Sequence, residues 1–234
     1  MSDFSDAFVL MFRLLGSGDP ELLGIIGLSL QISLSATALA AIIGLPLGAA
    51  IAVFRFPGRG VISATLNAFM GLPPVVVGLV VYLGLSRAGP LGEMGLLFTP
   101  EAMIVTQTIL VLPIIAALTR QTIADLDDGC REQLMALNTP PQRMVLTLLW
   151  EGRFSVLTAV LAGFGRAIAE VGAVLIVGGN IREVTRVMTT TIALETSKGN
   201  LALAMALGFV LLLITLTINL LATSLRNAAA RQYA

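Results

Sequence analysis

Long uncharged apolar runs separated by short polar segments set the pattern of this chain. Residues 22–54 carry no charged side chain across 33 positions, more than the ~20 residues with which a helix crosses a bilayer. The excess predicts tilt, or a kink at Pro46. Residues 60–86 form a second run, interrupted by the stretch from Gly71 to Gly78 with its adjacent Pro73 and Pro74. Two consecutive prolines remove two backbone donors and restrict the residue before them, so a helix must bend or break there. Broken backbone at membrane depth is tolerated only inside protein or beside a water-filled cavity. Gly71, Pro73, Pro74 and Gly78 are therefore read as a helix break at a pore. Further runs at residues 101–119, with Pro113 inside, 154–179 and 201–225 complete about five transmembrane helices in an all-α, polytopic membrane protein.

Within these runs, Ala36, Ala40, Gly44 and Gly48 recur every four residues and make a smooth strip for close helix packing. Ser29, Ser33 and Thr37 form a neighbouring polar strip, read as packing before pore lining. Thr215, Asn219 and Thr223 share one face of the last run, where bonding to the helix backbone is the common case. Residues 1–21 hold a short amphipathic stretch, Phe4 to Leu15, read as an interfacial helix or a frayed end. Residues 184–197 suggest a short surface helix, and residues 227–234 a polar tail.

Residues 124–152 break the apolar pattern. From Asp125 to Arg153 eight charges gather in a chain that is only 12% charged. Asp127 or Asp128 is expected to cap a short helix running to about Asn138. Thr139 is expected to cap the next, with Pro140 at its first position and helix resuming through Gln142 to Trp150. Leu134, Met135, Leu137, Met144, Val145, Leu148, Leu149 and Trp150 recur at helical spacing, so this segment needs something to cover an apolar face. The run after it keeps Arg166 and Glu170 near its middle. Intramembrane charges are expensive and call for a reason. Four residues apart on a helix, the two would share a face and pair. The pair is read as a structural ion pair, as a two-state latch, or, least favoured, with Arg166 as a direct anion ligand.

Composition narrows the chemistry. A mean hydropathy of +0.93 with 56% hydrophobic residues excludes an ordinary soluble domain. Zero net charge offers no nucleic-acid footprint. No histidine and a single cysteine, Cys130, remove imidazole catalysis, Cys/His metal sites and intrachain disulfides. No metal site is expected and no catalytic residue is assigned. The only lysine, Lys198, is followed by Gly199 and Asn200, so no phosphate-cradling loop is present and the chain is expected to bind no ATP by that route. Arginine and lysine divide eight to five between the two sets of connecting segments. This places the N-terminus outside, with residues 124–152 and the C-terminus in the cytoplasm. A secondary anion carrier is the alternative transport class, disfavoured by the lack of an evident internal repeat. A membrane enzyme finds little support, with no histidine and no clustered carboxylates at a span end.

The charged segment, Glu132-Gln-Leu with Asn138, resembles the Glu-Ala-Ala and Gly coupling motif of the membrane subunits of ATP-binding-cassette importers. The run Arg166-Ala-Ile-Ala-Glu-Val-Gly-Ala173 is similar to that of sulfate, molybdate and tungstate permeases, as is the proline-rich stretch from Leu72 to Gly78. The stretches 177–181, 185–190 and 193–198 look most like the tungstate-type branch, and the likeness covers residues 22–226. The resemblance implies a type I importer permease in the cytoplasmic membrane of a prokaryote, forming a homodimeric pore for tungstate, with molybdate or sulfate as the runner-up substrates in its place. It implies ATPase coupling through Asp128, Arg131, Glu132, Leu134, Leu137, Asn138, Thr139, Pro140 and Pro141. The partner ATPase would use the ATP, and an extracytoplasmic binding protein would deliver the oxyanion.

Overall fold

The computed structural model describes residues 9–13, 16 and 18–232, with side chains through residue 224. Most of the proposed interfacial stretch, Phe4 and Leu15 included, lies outside the described residues; residues 9–13 are helical, with Met11 buried and Phe12 exposed. The described residues form helices α1 Pro20–Val53, α2 Arg59–Phe69, α3 Pro74–Leu85, α4 Pro100–Ala136, α5 Pro141–Glu151, α6 Arg153–Ile168, α7 Gly172–Gly178, α8 Met188–Ser197 and α9 Leu201–Gln232. A 3-10 turn, Gly92–Met94, lies between α3 and α4, and no strand occurs among the described residues. Three helices, α1, α4 and α9, are long and apolar enough to cross a membrane, and the number rises to five if the bent pairs α2 with α3 and α5 with α6 are each counted as one span.

Several boundaries differ from the sequence expectation, each for a local reason. α1 runs unbroken through Pro46, and α4 through Pro113. α4 also continues far past residue 119, so Asp127 and Asp128 lie inside it and cap nothing. Hydrogen bonding along a helix is indifferent to the change from apolar to charged side chains, and Gly129 alone does not stop it. α4 stops where Asn138 takes φ 52°, a left-handed conformation that asparagine tolerates. The Asn138 N–H donates to Met135 O and the Thr139 N–H to Leu134 O, closing the last turn. The next helix is entered one residue later than expected. Pro140, not Thr139, is the capping residue, and Pro141 takes the first helical position, where its missing donor costs nothing. The supposed surface helix at 184–197 begins at Met188, and Thr189, Thr190 and Thr191 in its first turn are buried. α9 continues through residues 227–232.

Contacts divide the chain into two compact units. One holds the described residues through Ser35, with Pro73–Gln107 and Ile168–Thr223; the other holds Ala36–Leu72, Thr108–Ala167 and the described residues from Ser224. In the first unit, Ile32, Leu85, Met103, Val174, Val177 and Val187 form the core. α3 lies so close to α7 that a Cβ on Gly78 would sit 2.8 Å from Ala173 Cα. In the second unit, Ala49, Ala52, Val53, Ile123, Met144, Val145, Leu148 and Val156 pack together. The small-residue strip of α1 supplies the contact with α4: Ala36 and Ala40 are fully buried, and Gly44 and Gly48 abut Leu112, Ala116 and Arg120. The hydroxyl strip is buried as well. Ser29 Oγ donates to Ile25 O, and Thr108 Oγ1 donates to Ala36 O.

Candidate functional site

Three constellations combine polar chemistry with an accessible or strategically buried position. The first is the stretch from the end of α4 through α5, in the second unit, where the coupling segment is expected. α5 is amphipathic: Met144, Val145 and Leu148 enter the core, while Leu146 and Trp150 are exposed at 69% and 66%. At the end of α4, Leu134 packs against the same core, whereas Met135 and Leu137 are exposed at 61% and 76%. The turn through Asn138, Thr139, Pro140 and Pro141 thus sits between two pairs of exposed apolar side chains. Asp128 and Glu132 are exposed beside them. Arg131 points inward instead, pairing with Asp127, whose side chain is only 4% exposed, and reaching Val53 O at 3.5 Å. Arg59 donates to Ala52 O at 2.6 Å. Two guanidinium groups therefore serve the C-terminal carbonyls of α1, where positive charge is favoured. At the α5 to α6 junction Arg153 lies over the rings of Trp150 and Phe154, 4.9 and 4.6 Å from their centroids. Asp127, Leu146 and Arg153 carry much of this geometry. Helical spacing could have grouped Leu146 with the exposed apolar face, but nothing local marks Asp127 as the buried acid.

The second constellation surrounds Glu170 in the first unit. The run 154–179 is not one helix: α6 ends at Ile168 and α7 begins at Gly172. Glu170 lies in the break, so the expectation of a shared helical face with Arg166 does not hold. Arg166 is in the last turn of α6. The Glu170 carboxylate accepts the Ala173 N–H at 2.9 Å, which starts α7, and its carbonyl accepts the Thr189 hydroxyl at 2.8 Å. Glu170 is 4% exposed and lines, with Ser29, Ser33, Gln107 and Thr189, a cavity of about 10 Å³, room for a single water. Glu170→Ala removes the acceptor and strands a buried N–H, at a cost of about 1–3 kcal/mol. Glu170→Gln keeps an acceptor oxygen and is expected to cost less than half as much. Thermal unfolding in detergent compares them, and equal losses would refute the capping role. An arginine at position 170 cannot accept the Ala173 N–H, so a charge swap with Arg166 is not expected to restore the native arrangement.

The remaining predicted positions frame the other helix break. α2 ends at Phe69 and α3 starts at Pro74, with Pro73 as its extended capping residue. Pro73 O accepts from the N–H groups of Val76 and Val77. Gly78 makes the close approach to Ala173, whereas Gly71 has open surroundings, its nearest neighbour being Ala68 O at 3.6 Å from a built Cβ.

The third constellation is a cavity of about 600 Å³ at the start of α1, lined by Asp19, Glu21, Arg182, Glu183 and Arg186 among others. Glu21 pairs with Arg182 at 2.6 Å and with Arg186 at 3.9 Å. Its hydrogen bond and charge hold the Arg182 pKa above the usual guanidinium range. Nearby, the Lys198 ammonium, 2.8 Å away, keeps the Glu195 carboxyl below the usual carboxylate range. Acidic side chains outnumber basic ones around this cavity, so it is not an anion trap.

The chain is 43% identical over 211 residues to a probable anion ABC transporter permease protein of Haloferax volcanii, covering 88% of this chain and 91% of that one. It is 41% identical over 227 residues to the tungstate uptake system permease protein TupB of Peptoclostridium acidaminophilum, covering 97% of this chain and 100% of the relative. A molybdenum transport system permease protein, ModB of Azotobacter vinelandii, matches at 27% over 178 residues, 73% of this chain and 79% of the relative. The family described as the inner membrane component of binding-protein-dependent transport systems matches residues 44–233. The chain belongs to that family, whose members are membrane permeases working with a separate ATPase and a substrate-binding protein.

Proposed function

We propose that this chain is the pore-forming permease of an ATP-driven tungstate importer and that it works as a homodimer. The observation that carries the substrate is the likeness to a tungstate permease along nearly the whole chain, well above that to the molybdenum permease. The substrate is a divalent oxyanion and no bond is made or broken on it. The segment from Asp128 to Pro141 meets the cytoplasmic ATPase. Supporting this is the exposure of Met135, Leu137, Leu146 and Trp150 around a sharp, proline-fixed turn. Closure of the ATPase dimer would draw the two coupling segments together, and the long α4, continuous from the membrane run into this segment, would carry the displacement to the pore beside Pro73 and Pro74. Arg166, in the last turn of α6, and Glu170, in the break that follows, are assigned to the gate. The eight-to-five arginine and lysine balance supports a cytoplasmic coupling segment and an external N-terminus.

Uptake by vesicles bearing the assembled transporter tests the substrate. Tungstate uptake should require ATP and the binding protein, with molybdate competing more weakly and sulfate hardly at all. Uptake driven by an ion gradient without an ATPase subunit would overturn the reading. For the coupling face, Leu137→Asp combined with Leu146→Asp is expected to lower ATPase copurification at least tenfold while leaving the permease folded. Undiminished association would remove the docking assignment.

A further inference from the structure

Accessible helix faces in this protein fall into two kinds. α1, α3 and α9 expose large apolar side chains, among them Ile42 at 70%, Val80 at 64% and Leu212 at 66%, as surfaces turned to lipid do. α6 and the later part of α4 do not. Among the described residues, no large apolar side chain is exposed between positions 110 and 134 of α4 or anywhere in α6. The exposed positions of α6 are Ser155, Thr158 and Ala162. Spaced three and four residues apart, they share one face with the half-buried Arg166. Opposite them, α4 presents Gln121, Thr122 and Asp125. Between the two helices lies an open groove whose overlapping lobes measure about 400 and 230 Å³.

The depth of the groove follows from its packing. Gly48 of α1 abuts Ala116 and Arg120 of α4, and Ala52 and Val53 pack with Ile123 and Val156. Gln121, Thr122 and Ser155 therefore lie level with the last two turns of α1, where Arg59 and Arg131 reach its final carbonyls, and Thr158 lies about one turn further along α6. Polar side chains at that level are not left facing hydrocarbon; they face protein or water.

We infer that the α4 to α6 groove is the cytoplasmic leg of the translocation path, a water-filled passage in which a tetrahedral oxyanion is handed between neutral hydroxyl and amide donors. This rests on the permease reading above and adds the residues that touch the substrate. Arg166 stands at the inner end of the α6 face, and Gln121, Thr122, Ser155 and Thr158 follow it toward the cytoplasm. Asp125 is the charged residue among those lining the groove, and a carboxylate beside the exit keeps anion affinity low there. Neutral donors suit release: they orient oxyanion oxygens without the charge that would retain a dianion.

The test uses the complete transporter in vesicles, with Cys130→Ala as the parent because Cys130 is the only cysteine. Single Ser155→Cys, Thr158→Cys and Ala162→Cys variants are treated with an anionic, membrane-impermeant methanethiosulfonate from the cytoplasmic side, with Ile42→Cys as the lipid-facing comparison. These positions on the exposed face of α6 should react at least tenfold faster than Ile42→Cys, and saturating tungstate should slow them at least threefold. Reaction no faster than at Ile42→Cys shows a dry face and overturns the proposal. Fast reaction unaffected by tungstate shows a wet face off the substrate path and overturns it equally. ATP-dependent tungstate uptake by the parent is measured alongside, so that a failure of the permease reading is told apart from a failure of the groove. Thr158→Val should lower uptake severalfold, whereas Thr158→Ser, which keeps the donor, should restore it.

Discussion

Gly48→Ala is expected to destabilise the protein by about 1–3 kcal/mol, read as a lower unfolding temperature in detergent and a lower yield of intact permease. A Cβ at this position would stand 2.3 Å from Ala116 O and 3.0 Å from both Arg120 N and Thr119 Cβ. The first two obstacles are backbone, so no side-chain rotation relieves them, and α1 and α4 would have to separate. The same substitution elsewhere on α1 supplies the scale. At Gly44 the tightest approach is 3.2 Å, to a side-chain methyl of Ile115, and a shift of a few tenths of an ångström accommodates it. At Gly27 nothing lies within 4 Å, and alanine should be neutral or stabilising because it restricts the unfolded chain. The expected order of stability is therefore Gly27→Ala, then Gly44→Ala, then Gly48→Ala. Equal behaviour of the first and last would show that close packing of α1 on α4 is not what the small-residue strip provides.

That strip illustrates what the sequence makes legible. A four-residue repeat of alanine and glycine in an uncharged run has one economical use, close helix contact, and the second unit shows it. The apolar runs likewise mark the three long helices α1, α4 and α9, and the paired prolines the stop between α2 and α3. Helix ends elsewhere were harder to see, because hydropathy reports the solvent and not the backbone. α4 crosses from apolar to charged sequence without interruption because no residue before Asn138 obliges it to stop. The opposite error arises at Ala169 to Val171, where no proline or glycine announces a break and the chain nevertheless leaves the helix. Its cause is tertiary: the Glu170 carboxylate replaces a lost helical bond by accepting the Ala173 N–H, and Gly78 packs on the helix so begun. Burial of Asp127 was hidden for a related reason. Three acids at 125, 127 and 128 look alike in sequence, and only the packing of α1 and α5 against α4 decides which is enclosed.

That enclosed acid sets the second large effect. Arg131→Met is expected to cost about 3–5 kcal/mol, the range for removing one partner of a buried ion pair. Asp127 is 3% exposed, and its Oδ1 has no hydrogen-bond partner among the described residues, so Arg131 is the group that compensates its charge. Losing the guanidinium also frees Val53 O at the end of α1, although Arg59 still serves the neighbouring Ala52 carbonyl. Asp127→Asn in the Arg131→Met background removes the stranded charge and should recover at least half of the loss. Arg131→Lys keeps a positive charge but carries it on a compact, more strongly hydrated ammonium, so it should fall between the wild type and methionine. Because Arg131 braces α1 against α4 just before the coupling turn, the methionine variant should lose ATPase association as well as stability. The double variant separates the two effects, since it regains stability without regaining the brace. Full recovery of association in the double variant would mean that Arg131 acts on coupling only through folding.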